Sequence, residues 1–99
     1  MEIPSRFQIL GHTITVEVVP IEEWEHSDCT AYYAPERDKI SVRVHHTESL
    51  MRHAFWHEVM HTMFNLLNRE ELYKDEVLVD NLGAVLAQIL DTATKSAKP

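Results

Sequence analysis

A single cysteine, Cys29, has no partner for an intrachain disulfide, so this chain is not one of the small scaffolds that disulfides hold together. Two glycines and four prolines leave no room for collagen-like, linker-like or low-complexity stretches. Basic clusters are absent and the formal net charge is -7, which excludes a nucleic-acid binder that works by neutralising phosphates. The acidic balance favours solubility and carries no preference for a substrate. No apolar run approaches the roughly 20 residues needed to span a bilayer. The opening residues, MEIPSRFQIL, lack the charged-then-apolar profile of a signal peptide. The expectation is a cytoplasmic protein with neither nucleic acid nor membrane as partner.

What is present suffices for one domain over residues 1–99, with 44% apolar residues to build a thin core. Residues 1–46 read as mainly β. Runs at 7–10 and 13–19 alternate polar and apolar residues around Gly11-His12, and a glycine at the first turn position predicts a type II′ hairpin. Pro20 ends the second strand and starts a helical turn over 21–25. A second strand pair is expected at 30–34 and 40–44, joined by a turn containing Pro35 and Asp38.

Residues 47–92 change character. No Gly or Pro interrupts 47–67, where Leu50, Ala54, His57, His61 and Phe64 share one helical face. Thr47 is the expected N-cap, with Glu48 in the first turn. After Asn68 a second helix is expected from Arg69 or Glu71 to Thr92, and residues 93–99 read as a frayed tail. The fold class is therefore α+β: a small antiparallel or mixed sheet followed by two packed helices.

The chemistry lies in His57-Glu58-Val59-Met60-His61, an HExxH sequence in the middle of the first helix. Residues four apart stack on one helical face, so both imidazoles can reach one metal ion. Glu58 is rotated by about 100° from His57, close enough to serve a metal-activated water without becoming a ligand. A hydrolytic zinc site needs a third protein ligand and one open position. On the second helix Glu76 and Asp80 are also four apart. Glu76 can complete the ligand set, and Asp80 can accept a hydrogen bond from an imidazole. Gly83 and Ala87 continue that face and permit close helix approach, while Leu78, Leu82, Val85, Leu86 and Ile89 form the apolar arc.

HEVMH followed by DEVLVD resembles the gluzincin zinc peptidases, whose pattern is HExxH and then a helix bearing N/D-E-x-x-x-D. The nearest likeness is to their minimal members, the small phage- and prokaryote-type domains related to the ImmA/IrrE metallopeptidases. The resemblance implies a zincin-like fold with one Zn²⁺ per chain held by His57, His61 and Glu76. It also implies Glu58 as general base and Asp80 as the residue orienting His57. The activity implied is endopeptidase cleavage of a peptide or protein, such as a regulator or repressor. Substrate would add as a strand to the edge formed by residues 30–34, with Tyr32 or Tyr33 facing the cleft, but not both. Larger gluzincins use a His or Tyr from a further subdomain to steady the oxyanion. Here Tyr73, His53, Tyr32 and Tyr33 are the candidates.

Blander assignments compete with each of these. Glu76 stands near Glu70, Glu71 and Asp75, where acidic residues also favour a helix start. Asp80 can be an ordinary surface residue. His45-His46 looks like a metal tract but fits a strand-to-helix loop better. Cys29 fits a half-buried strand thiol better than a latency switch. The alternative function is a zinc-binding regulatory or interaction module with little or no peptidase activity, and a third is another hydrolysis that uses the same activated water. An intact Glu58 favours the peptidase, because a purely structural site has no use for it.

Overall fold

Alternating residues in the first half build four strands in the computed structural model, which describes residues 2–94 and 96–98. Strands β1 (Arg6–Ile9) and β2 (His12–Val19) form an antiparallel hairpin. Strand β3 (Ala31–Ala34) pairs antiparallel with β4 (Lys39–Arg43), and β4 lies parallel to β2. The order β1-β2-β4-β3 leaves β3 at an edge. Helices α1 (Glu48–Leu66), α2 (Glu70–Tyr73) and α3 (Glu76–Thr92) follow. This is the expected α+β class, with a mixed sheet. No helix among the described residues is long and apolar enough to cross a membrane.

The hairpin turn departs from expectation by one residue. Ile9 pairs with His12, so the turn is Leu10-Gly11, and both residues have positive φ (49° and 83°). That is a type I′ turn rather than type II′, and its twist matches the flanking strands. It forces a leucine into the left-handed region, at a cost of roughly 1–2 kcal/mol. After Pro20 the 3₁₀ turn covers only Ile21–Glu23.

Helix α1 runs through the middle of the molecule, between strands β3 and β4 on one side and α3 on the other. Its second half is therefore buried nearly all round: Phe55, Glu58, Val59, Met60, His61, Thr62 and Phe64. Phe55, Val59, Met60 and Phe64 pack with Ile14, Tyr33, Ile40 and Val42 of the sheet and with Val79 of α3. Thr47 occupies the N-cap position without capping through its hydroxyl; its own N–H donates to His45 Nδ1 at 2.9 Å. Asn68, at φ 56°, ends α1 in a Schellman arrangement, with Arg69 N–H donating to Phe64 O and Asn68 N–H to Asn65 O.

The single second helix expected from Arg69 or Glu71 is split in two. Asp75 has non-helical torsions (φ -83°, ψ 86°), and its carboxylate accepts from Leu78 N–H at 3.0 Å, an N-cap that starts α3 afresh. The buried stripe of α3 is Val79, Gly83 and Ala87. Leu78, Leu82 and Leu86 flank it against the core, whereas Val85 and Ile89 of the expected apolar arc are about half exposed. Residues 93–94, 96, 97 and 98 carry no regular structure; positions 95 and 99 of the expected frayed tail lie outside the described residues.

Candidate metal centre

Two helices bring the polar residues of the site together, and a glycine sets their distance. A Cβ at Gly83 would stand 2.8 Å from the His57 backbone nitrogen and 3.0 Å from its Cα, so α3 lies directly against α1 at His57. The Asp75 cap puts Glu76 at the first residue of α3, where its side chain reaches back over α1. His57 Nε2 is 3.2 Å from Glu76 Oε2, and His61 Nε2 is 3.0 Å from Glu76 Oε1. Ligand atoms of all three residues lie within 4.8 Å of one another, so the group could hold a metal ion. It is the one such group among the described residues.

The surroundings give each side chain a distinct state. His57 Nδ1 is 3.0 Å from Asp80 Oδ1. A carboxylate only accepts, so this bond places the proton on Nδ1 and leaves Nε2 directed at Glu76. The same bond holds the Asp80 carboxyl below its usual range. His53, one turn before His57, brings its Nε2 to 3.0 Å from the same Asp80 oxygen. Burial lowers the His61 pKa and so favours the neutral imidazole, the form that ligates metals. Its Nδ1 is buried beside the Tyr73 backbone without a fully formed hydrogen bond, and its ring packs on Tyr73 at 4.7 Å between centroids.

Glu58 stands outside the group of candidate ligands but lines the same cleft. It is buried, and its Oε2 has no hydrogen-bond partner. Burial pushes its carboxyl up to about 7, with His57 opposing and Glu76 adding to the shift. An unpartnered buried carboxyl oxygen costs about 1–3 kcal/mol, so Glu58 is held here at a cost to stability.

Glu58, His57, His61, Glu76 and Asp80 all line one open cleft of about 810 Å³, bounded on another side by Thr30 and by Ala31 and Tyr32 of the edge strand β3. Among known proteins, no family model, no curated protein and no solved structure matches the chain. The site therefore stands on its geometry.

The remaining candidates divide cleanly. Of the two tyrosines, Tyr32 lines the cleft and packs against Trp24 and His26, while Tyr33 is buried in the core and accepts a hydrogen bond from Asn65 Nδ2. His53 lines the cleft. Tyr73 lines a separate cavity with Asn65 and Arg69. His45 stacks on His46 and also lines the cleft, outside the metal-ligand group. Cys29 and Arg43 are cleft residues that sequence reasoning did not assign there. Arg43 read only as a polar position in an alternating strand, and no local signal marks its role.

Proposed function

We propose that this chain is a zinc-dependent endopeptidase of the minimal gluzincin type, with His57, His61 and Glu76 as ligands and Glu58 as general base. The observation that carries the reading is the convergence of both Nε2 atoms on Glu76 beside a buried, unpartnered Glu58 oxygen, all in one open cleft. The two Nε2 atoms meet different oxygens of Glu76, at 3.2 and 3.0 Å, and one ligand atom from each of the three side chains lies within 4.8 Å of the others, a donor set of two imidazoles and a carboxylate that fits zinc. Glu76 is 65% exposed, which leaves a side of the site open as a catalytic centre requires.

When bound, zinc supplies Lewis-acid polarisation and makes water nucleophilic near neutral pH. Within the chain, Glu58 takes a proton from the attacking water and passes it to the leaving amine. Asp80 fixes the tautomer and orientation of His57. The free edge of β3 offers backbone groups to an extended peptide, and strand addition presents its scissile bond to Glu58. The second reading, a zinc-binding interaction module, draws on Tyr73, whose ring packs on His61 while lining a different cavity from Glu58.

The deciding experiment compares the parent with Glu58→Gln on a broad peptide library. Both should bind one zinc per chain, and hydrolysis should fall by roughly 100- to 10,000-fold in the variant. A chelator should abolish the parent's activity and added zinc should restore it. Equal cleavage by both proteins removes Glu58 from the chemistry. No cleavage by either, with equal binding of a partner protein, makes the interaction module the better reading.

A further inference from the structure

Arg43 ends β4, and its backbone is fixed from both sides. Its N–H donates to Thr30 O at 2.9 Å, and Val44 N–H donates to Val19 O at 2.8 Å. The side chain, by contrast, makes no hydrogen bond or ion pair among the described residues. It is half-buried, its Nε is fully covered, and that nitrogen makes no hydrogen bond. Asp28 lines the same cleft, yet the ion pairs of the described residues include none to Arg43. Covering Nε restrains the stem and leaves the terminal nitrogens as the part of the guanidinium that can meet a ligand. Arg43 is also the one Lys or Arg in a cleft wall that carries four carboxylates, Asp28, Glu58, Glu76 and Asp80. A permanent cation held in place but unpaired, among acidic neighbours that do not neutralise it, is a site prepared for an anion.

The anion follows from the cleft's other contents. A peptide laid along the β3 edge offers carboxylates, on Asp or Glu side chains or at its C-terminus. Arg43 lies two residues before His45, which is tied to Thr47 at the start of α1. We propose that Arg43 selects the substrate: it binds a carboxylate of a peptide laid along the β3 edge. This rests on the peptidase reading of the same cleft.

Zinc-loaded Glu58→Gln protein, which should hold peptides without cleaving them, is immobilised and offered two random peptide pools, one with free and one with amidated C-termini. Circular dichroism and zinc content verify that each Arg43 variant is folded and loaded. Retained peptides should be enriched in Asp or Glu at one register, by about tenfold or more over the neutral residues. Enrichment in both pools assigns a side-chain carboxylate; enrichment confined to the free-terminus pool assigns the terminal one. Arg43→Gln should lose the enrichment, Arg43→Lys should keep it in weaker form, and Arg43→Glu should exchange it for Lys or Arg. Retention of peptides with no acidic preference overturns the assignment of Arg43 and leaves the peptidase reading intact. Retention of no peptide by the loaded protein overturns both. Acidic enrichment lost in Arg43→Gln, with no cleavage by the parent, keeps Arg43 as a carboxylate-binding residue but overturns the peptidase reading and, with it, the selection of a substrate.

Discussion

Replacing Gly83 by alanine should push α3 away from α1 at His57, one of the three residues that could hold a metal ion. The added Cβ would stand 2.8 Å from His57 N and 3.0 Å from His57 Cα, about 0.6 and 0.4 Å inside ordinary contact. Both atoms belong to backbone, so neither can rotate aside, and the helices must separate. Overpacking of this kind costs about 1–3 kcal/mol, and the rigid neighbours argue for the upper part of that range. Alanine's better helix propensity returns about 1 kcal/mol. The net loss is about 1–2 kcal/mol, which for a domain of this size lowers Tm by about 5–15 °C. The same separation carries Glu76 and Asp80 away from the imidazoles they now meet at 3.0–3.2 Å. Thermal unfolding of the metal-free protein and competition for zinc with a chromophoric chelator measure the two effects separately. A Gly83→Ala protein that is as stable as the parent, or more so, and binds zinc equally well would refute the close approach.

Asp80→Ala should weaken zinc binding by about 10- to 100-fold with the fold intact, because His57 loses the acceptor that sets its tautomer; an unchanged zinc affinity returns Asp80 to the ordinary surface. Leu10→Asn should stabilise the protein by about 1 kcal/mol in denaturant unfolding, since asparagine tolerates the left-handed region and Leu10 is 59% exposed, with little packing to lose. Phe55→Ala should cost about 3–5 kcal/mol, since Phe55 is fully buried where α1 meets the sheet; a loss below 1 kcal/mol would show that the core does not run through it.

Much of this architecture is legible in local pattern. Alternation in β2 and β4 and the Gly- and Pro-free stretch of α1 gave the α+β class, because strands and helices impose periods of different length on their buried residues. The spacing of His57, His61, Glu76 and Asp80 marked four residues that the structure brings together. Other features depended on tertiary context. Leu10-Gly11 forms the turn because pairing of Ile9 with His12 sets the register, a contest that a glycine's position alone does not decide. Asp75 splits the second helix through its own side chain, and an N-cap reading of that residue would have found the break. Val85 and Ile89 point outward because the small residues Gly83 and Ala87, rather than the larger apolar ones, face α1. Arg43 enters the cleft only because β4 ends beside the start of α1, a relation between elements and not a motif.

X-ray absorption at the zinc edge, on protein loaded with one equivalent of zinc, tests the central claim most directly. The account predicts four light-atom ligands at about 2.0–2.1 Å. Two should be imidazoles that disappear one at a time in His57→Ala and His61→Ala, one the Glu76 carboxylate, and one a solvent oxygen. An ion coordinated by four protein side chains, or a spectrum unchanged in Glu76→Ala, would contradict it.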